Sequence, residues 1–138
     1  MMAVFIAGAV FAAAALVRVF LDRTSRTDAH FFHGRVELTK VWNTGAAFSL
    51  PIPKGAVGVL SALALLIAWG QRKEQPLAAG LLLGGGAANA YERARHKRVY
   101  DYLRFPGLPG RGGRFVWNLA DFAILLGAIG LSFRRKKG

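Results

Sequence analysis

The sequence predicts a mainly α, polytopic membrane protein: four transmembrane helices carrying a small extramembrane β platform and a short lid-like loop. Three observations predict it. Of the 138 residues, 54% are hydrophobic and 19% charged, too apolar a balance for a soluble domain of this length. The apolar residues gather in four blocks, residues 3–21, 55–70, 76–91 and 119–133. Those blocks scarcely show the polar stripe by which helices of a soluble bundle face water. Residues 1–138 are therefore read as one integral-membrane domain.

Each element follows in order. A bilayer takes about 20 mostly apolar residues per helix, so the first block spans it by itself. Small residues in "AVFAAAAL" resemble a signal-peptide cleavage region, but no Lys or Arg precedes the block, so an uncleaved first span is expected. Segment 22–54 is too long for a simple turn. Its "GRVELTKVWNTGAAFSLP" alternates and favours strands, which predicts a platform at the membrane surface. "HFFHG" sets His30 and His33 three apart, a metal-binding spacing on a helix, but no third ligand is evident and no metal is expected. The second and third blocks reach span length only with flanking residues, and the Gly and Ala of "LLLGGGAANA" suit close helix packing in lipid. Segment 92–117 is expected to begin as a basic helical extension, "ERARHKRVYDYLRF", and to break at "PGLPGRGG", a loop of the composition that lids have. "NLADFAILLGAIG" opens the last span.

Charge narrows the partners. The formal net charge is +12, but the basic residues flank apolar spans, where anionic lipid headgroups are nearer than nucleic acid. Four spans put both termini and "QRKEQ" on one side. The closing "RRKK" with Arg72 and Lys73 argues that this side is cytoplasmic, whereas twelve Lys and Arg on the other side, against these six, argue the reverse. The chain has no cysteine, hence no disulfide frame and no thiol nucleophile.

Two carboxylates carry the chemistry. An acid inside a membrane helix usually needs a partner or a function, so Asp121 at the mouth of the last span is either catalytic or a first-turn acid capped by Asn118. Asp101, in "RVYDYLRF", is either a surface acid paired with Arg98 or Arg104 or the second member of a pair. If the third and fourth helices are antiparallel neighbours, their outward ends share one membrane surface and the two acids can meet. Two close carboxylates cannot both ionise cheaply, so one keeps a proton while the other can take one from water. Asn89, Glu92 and Arg93 share a helical face, where an ordinary interfacial helix end is the alternative. Asn43 and Gly45, in "VWNTGAAF", have a plain turn as theirs. A proton-relay protein and a structural partner of another membrane complex are the competing readings.

Ordered blocks bring these residues together. "VWNTGAAFS" resembles an Asn-x-Gly-Ala-Ala-Phe-Ser block. "GGGAANAYERARHKRVYDYLRF" resembles Gly-Gly-x-x-x-Asn-x-x-Asp-Arg running into Val-x-Asp-Phe, with the same twelve-residue step from Asn to Asp, and "FVWNLADFAILLG" is similar to Phe-Asn-x-Ala-Asp. Their order resembles the prolipoprotein signal peptidases, also called lipoprotein signal peptidase or signal peptidase II. The resemblance implies a bacterial inner-membrane aspartic endopeptidase with its site on the periplasmic side. It would act as a monomer and without a cofactor, cutting diacylglyceryl-modified prolipoproteins just before the lipidated cysteine. It assigns Asp101 and Asp121 to the catalytic pair, and Asn43, Gly45, Asn89, Arg93 and Asn118 to shaping the site and holding substrate. "LDRTSR" resembles the family's Asp-x-x-x-Lys pattern, placing Asp22 and Arg26 there. Three departures stand out: Arg26 for the usual Lys, Glu92 for the usual Asp beside Arg93, and a short chain with an unusually Gly-rich loop.

Overall fold

The computed structural model describes residues 1–23, 29–31, 33–43, 54–96, 99–110, 113 and 116–133. Among these residues, four helices and four strands follow in the order α1 (Met2–Arg23), β1 (Ala29–Phe31), β2 (Val36–Asn43), α2 (Lys54–Gly70), α3 (Pro76–His96), β3 (Val99–Arg104), β4 (Val116–Trp117) and α4 (Leu119–Ser132). The strands form one antiparallel sheet in that same order.

Helix α3 is the centre of the bundle, and its three consecutive glycines explain why. Successive helical residues turn by about 100°, so Gly84, Gly85 and Gly86 address three directions. A methyl carbon at Gly84 would stand 2.6 Å from the Ala7 carbonyl of α1, at Gly85 2.6 Å from the Ala120 carbonyl of α4, and at Gly86 2.8 Å from Leu65 of α2. The packing role expected of "LLLGGGAANA" is thus served in three directions at once. Gly80 repeats the α1 contact against Ala3 and Ile6, and Gly127 of α4 meets Ala78 and Leu82. Residue numbers rise together along α1 and α3 but run oppositely along α3 and α4. The third and fourth helices are therefore antiparallel neighbours, the condition for bringing the two acids together.

The bundle turns apolar side chains outward. Phe5, Leu16, Phe20, Leu60, Leu66 and Leu126 are all exposed, the reverse of a soluble core. Among the described residues, one helix is long and apolar enough to cross a membrane by itself, Met2–Leu21, with a mean hydropathy of 2.4. The apolar stretches Gly55–Gly70 and Leu119–Ser132 are shorter. At 14 residues, α4 extends only about 21 Å against a hydrocarbon core of about 30 Å. The four helices stand where the sequence put them, while spanning by four of them is not carried by their length.

Strands stand where segment 22–54 was expected to form them: His30 lies in β1, and His33 and Gly34, both at positive φ (57° and 82°), are a pair of left-handed residues that suits a tight hairpin into β2. One local expectation is corrected: the basic helical extension ends early, because α3 stops at His96 and Val99–Arg104 becomes β3. There the alternating, β-favouring "VYDYLR" gains β2 and β4 as partners on either side, which outweighs the helical tendency of the basic run before it. Of the lid-like stretch, 106–110 is exposed, and Gly113 closes back on it so tightly that a methyl carbon there would stand 3.0 Å from the Pro106 carbonyl and 2.9 Å from that of Leu108.

Candidate active site

The head of α4 is built by a reciprocal cap. Asn118 is extended (φ −124°, ψ 172°), its Oδ1 accepts from the Asp121 N–H at 2.9 Å, and Asp121 Oδ2 accepts from the Asn118 N–H at 3.0 Å. The capping alternative is therefore present in the structure, and it occupies one oxygen of Asp121. The other oxygen, Oδ1, accepts from Asn89 Nδ2 of α3 at 3.1 Å. Asn118 spends its own amide hydrogens on Asn89 Oδ1 (3.2 Å) and on Asp101 Oδ1 of β3 (2.9 Å). Asp101, Asn118, Asn89 and Asp121 form one connected network across a strand and two helices.

Burial singles these four out. Asp101 is 1% exposed, Asp121 2%, and Asn89 and Asn118 5% each, and among the described residues they are the buried polar side chains. Burying polar groups is unfavourable unless they are hydrogen-bonded, so the network holds itself together while remaining expensive to keep in an apolar bundle. Helix contacts set its position: the Gly85 approach to Ala120 brings Asn89, one turn further along α3, onto Asp121.

Charge around the network comes from Arg93, on the face of α3 it shares with Asn89. Burial lowers its pKa, while the carboxylates of Asp121, Asp101 and Glu92 oppose that by favouring the charged guanidinium. Asn89 and Arg93 also line one end of an open apolar cleft of about 200 Å³ between α2, α3 and α4, with Val57, Leu60, Ser61 and Ile124. Glu92 pairs with Arg18 of α1, Nε to Oε1 at 3.1 Å. Arg104, one of the two candidate partners of a surface Asp101, instead binds Glu37 of β2 through Nε at 2.7 Å. Beside the head of α4, Trp117 stacks on Phe122, which Phe105 meets edge to face. No group of three His, Asp or Glu among the described residues is placed to hold a metal.

The remaining predicted positions are more widely set. Asn43 ends β2 opposite Val99, and Asp22 lies in the last turn of α1. The side chains of Asp22 and Asn43, and the whole of Arg26 and Gly45, lie outside the described residues. Tyr102 is a residue that sequence reasoning misses. Its hydroxyl accepts from the Leu119 N–H at 2.8 Å, and burial pushes its pKa up to about 12 although that hydrogen bond acts the other way. Adjacency to Asp101 is its only signal in the sequence.

Comparison with known proteins decides the family. The model of the signal peptidase (SPase) II family matches residues 3–135. The chain belongs to the signal peptidase II family. Among its relatives, the lipoprotein signal peptidase of Nitrobacter hamburgensis is 36% identical over 110 residues, covering 70% of this chain and 66% of that protein. The lipoprotein signal peptidase of Methylorubrum extorquens is 34% identical over 101 residues, 66% of this chain and 58% of that one. This member of the family thus spans less than two thirds of the length of those two relatives. The Syntrophomonas wolfei lipoprotein signal peptidase is 36% identical, over 80% of this chain and 72% of its own. The fold is shared with a bacterial membrane enzyme solved in meso at 2.3 Å, at a TM-score of 0.76 and 18% identity over 94% of this chain and 84% of that one. A second such structure, at 1.9 Å, gives 0.71 and 18% over 94% and 89%.

Proposed function

We propose that this signal peptidase II family member is a membrane aspartic endopeptidase that removes the signal peptide from diacylglyceryl-modified prolipoproteins, cutting just before the lipidated cysteine. The observation that carries the reading is the single network formed by the four buried polar side chains, which contains both carboxylates. A purely structural cap needs Asn118 and Asp121 alone. It gives no reason to bury Asp101 and Asn89 against them.

In the proposed reaction, one carboxylate of the pair is charged and takes a proton from water as the water oxygen bonds to the scissile carbonyl carbon. The other, protonated, donates to the carbonyl oxygen as the tetrahedral diol forms. When the C–N bond breaks, a proton passes to the departing nitrogen, leaving a new carboxyl and a new amine with atoms balanced. Asn89 and Asn118 keep the two acids in register, and Arg93 offsets their negative charge. The balance requires no metal or cofactor.

Location supports the substrate. The apolar exterior and α1 support insertion in the bacterial cytoplasmic membrane, with the other three helices completing four spans. The apolar cleft ending at Asn89 and Arg93 would hold the apolar part of a substrate with its peptide bond at the acids. Charge counting favours the reverse orientation, and the ordered family blocks support the periplasmic one. A proton relay would call for an acid midway through a span, whereas Asp121 is in the first turn of α4 and Asp101 is on a strand.

The test is cleavage of a diacylglyceryl-modified precursor by purified protein, with Asp101→Asn and Asp121→Asn beside it. Both variants should remain folded and lose cleavage, since an amide cannot exchange the proton. An active variant would remove the two-acid mechanism, and equal cutting of unmodified precursor would remove the lipid requirement.

A further inference from the structure

We propose that the Tyr102 hydroxyl is a positioning group, fixing the angle at which the first turn of α4 presents Asp121 to Asp101. This rests on the peptidase reading above. Asp101 and Tyr102 are consecutive on β3, and they hold consecutive residues at the head of α4: Asp101 accepts from Asn118 Nδ2 at 2.9 Å, and Tyr102 accepts from the Leu119 N–H at 2.8 Å. A single bond would let β3 pivot against the head of α4, whose other side-chain bonds run to Asn89 of α3. Two, from neighbouring residues, remove the pivot.

The pair takes over where the sheet ends. Arg104 faces Val116 and Leu103 faces Trp117 in the β3–β4 ladder, and beyond it the Asp101 and Tyr102 side chains reach Asn118 and Leu119, crossing the order that an antiparallel ladder would keep. Side chains of successive strand residues point to opposite faces, yet Asp101 is 1% and Tyr102 4% exposed, so β3 is covered on both sides. Strand β2 shifts register by one residue between Leu38, opposite Leu103, and Val41, opposite Asp101, which puts the irregularity across from Tyr102. Such bulges bend a strand and re-aim its side chains. Tyr102 forms one buried cluster with Leu21 of α1, against which Val17, Leu38, Leu103 and Leu119 pack, so its side chain is held from outside β3 as well. Leu119 is the first residue of α4, and its N–H is one of the donors a helix cannot satisfy internally.

Two variants address the bond from its two ends. Tyr102→Phe deletes the acceptor and keeps the packed ring. Leu119→Pro deletes the donor at the first helical position, where proline is tolerated, after an Asn118 that is already extended. Steady-state cleavage of diacylglyceryl-modified precursor by the purified full chain, with Asp121→Asn as the inactive control, supplies kcat and KM. Tyr102→Phe should lower kcat roughly tenfold, as sub-ångström misplacement of reacting groups does, with KM within about twofold of wild type. Because both changes remove one bond, the double variant should have a kcat no lower than the poorer single variant. Hydrogen exchange at the Leu119 amide should quicken in Tyr102→Phe by more than at amides further along α4, beyond what the fall in thermal midpoint from one lost bond accounts for. Leu119→Pro carries the test should Tyr102→Phe fail to fold. Wild-type kcat in Tyr102→Phe, or a double variant showing the product of the two single losses, overturns this inference alone. Failure of wild type itself to cleave overturns the peptidase reading and this one with it.

Discussion

Gly85 offers a perturbation whose size can be worked from the contact it makes. A methyl carbon there would stand 2.6 Å from the Ala120 carbonyl oxygen, 2.9 Å from Ile124 Cγ1 and 3.1 Å from Ile124 N. Carbon–oxygen contacts in proteins lie at about 3.3 Å or more, so Gly85→Ala must push the first turn of α4 back by roughly 0.7 Å. Ala120 adjoins Asp121, and the Asn89–Asp121 bond starts at 3.1 Å, so a shift of that size takes it outside hydrogen-bonding range. Overpacking of this kind destabilises by about 1–3 kcal/mol, offset by up to about 1 kcal/mol from the better helix propensity of alanine. Misplacement by about 1 Å lowers rates by up to about a hundredfold, so kcat for precursor cleavage should fall between roughly ten- and a hundredfold. Gly84→Ala is the matched control, because its methyl would also stand 2.6 Å from a carbonyl, that of Ala7 on α1. It should lower the thermal midpoint similarly and leave the kcat of folded protein near wild type. Equal kcat values for Gly85→Ala, Gly84→Ala and wild type would refute the claim that the α3–α4 contact positions Asp121.

Three further outcomes are expected. Asn118→Ala should lose about 1 kcal/mol of stability with its cap, and Asn118→Ser should recover most of that by thermal unfolding, yet stay inactive because serine has no amide to reach Asp101 and Asn89. Tyr102 is raised from its ordinary 10.0 to about 12 by burial, so the folded state binds its proton more tightly than the unfolded state. That contribution, ~2 to 3 kcal/mol, is full below pH 10 and is lost as pH rises towards 12, so the thermal midpoint should fall across that window in wild type and less steeply in Tyr102→Phe. Ser61→Trp fills the cleft beside α3 and should raise KM for lipidated precursor several-fold with kcat little changed, as loss of uniform binding does; an unchanged KM would place the substrate elsewhere.

Much of this protein could be read from residue order. Four apolar blocks determined the four helices, because burial of apolar surface is proportional to composition and needs no partner to be identified. The run of three glycines predicted close helix packing because glycine carries no side chain, though not against which helices, and Asn118 three residues before Asp121 offered a capped helix as one of two readings, since a cap depends on contacts within a few residues. The ordered blocks placed Asp101, Asn89 and Asp121 as candidates. What local pattern could not determine was the company each side chain keeps. The twelve residues from Asn89 to Asp101 cross from helix into strand, and only pairing with β2 and β4 decided that change. Glu92 met Arg18, 74 positions away, and Arg104 met Glu37, 67 positions away, instead of nearer charges. Tertiary structure alone joined Asp101 to Asp121 through Asn118 and brought Tyr102 to the head of α4. Hydrogen bonds are short-ranged and directional, so a network among strand, cap and helix exists only once packing has fixed all three.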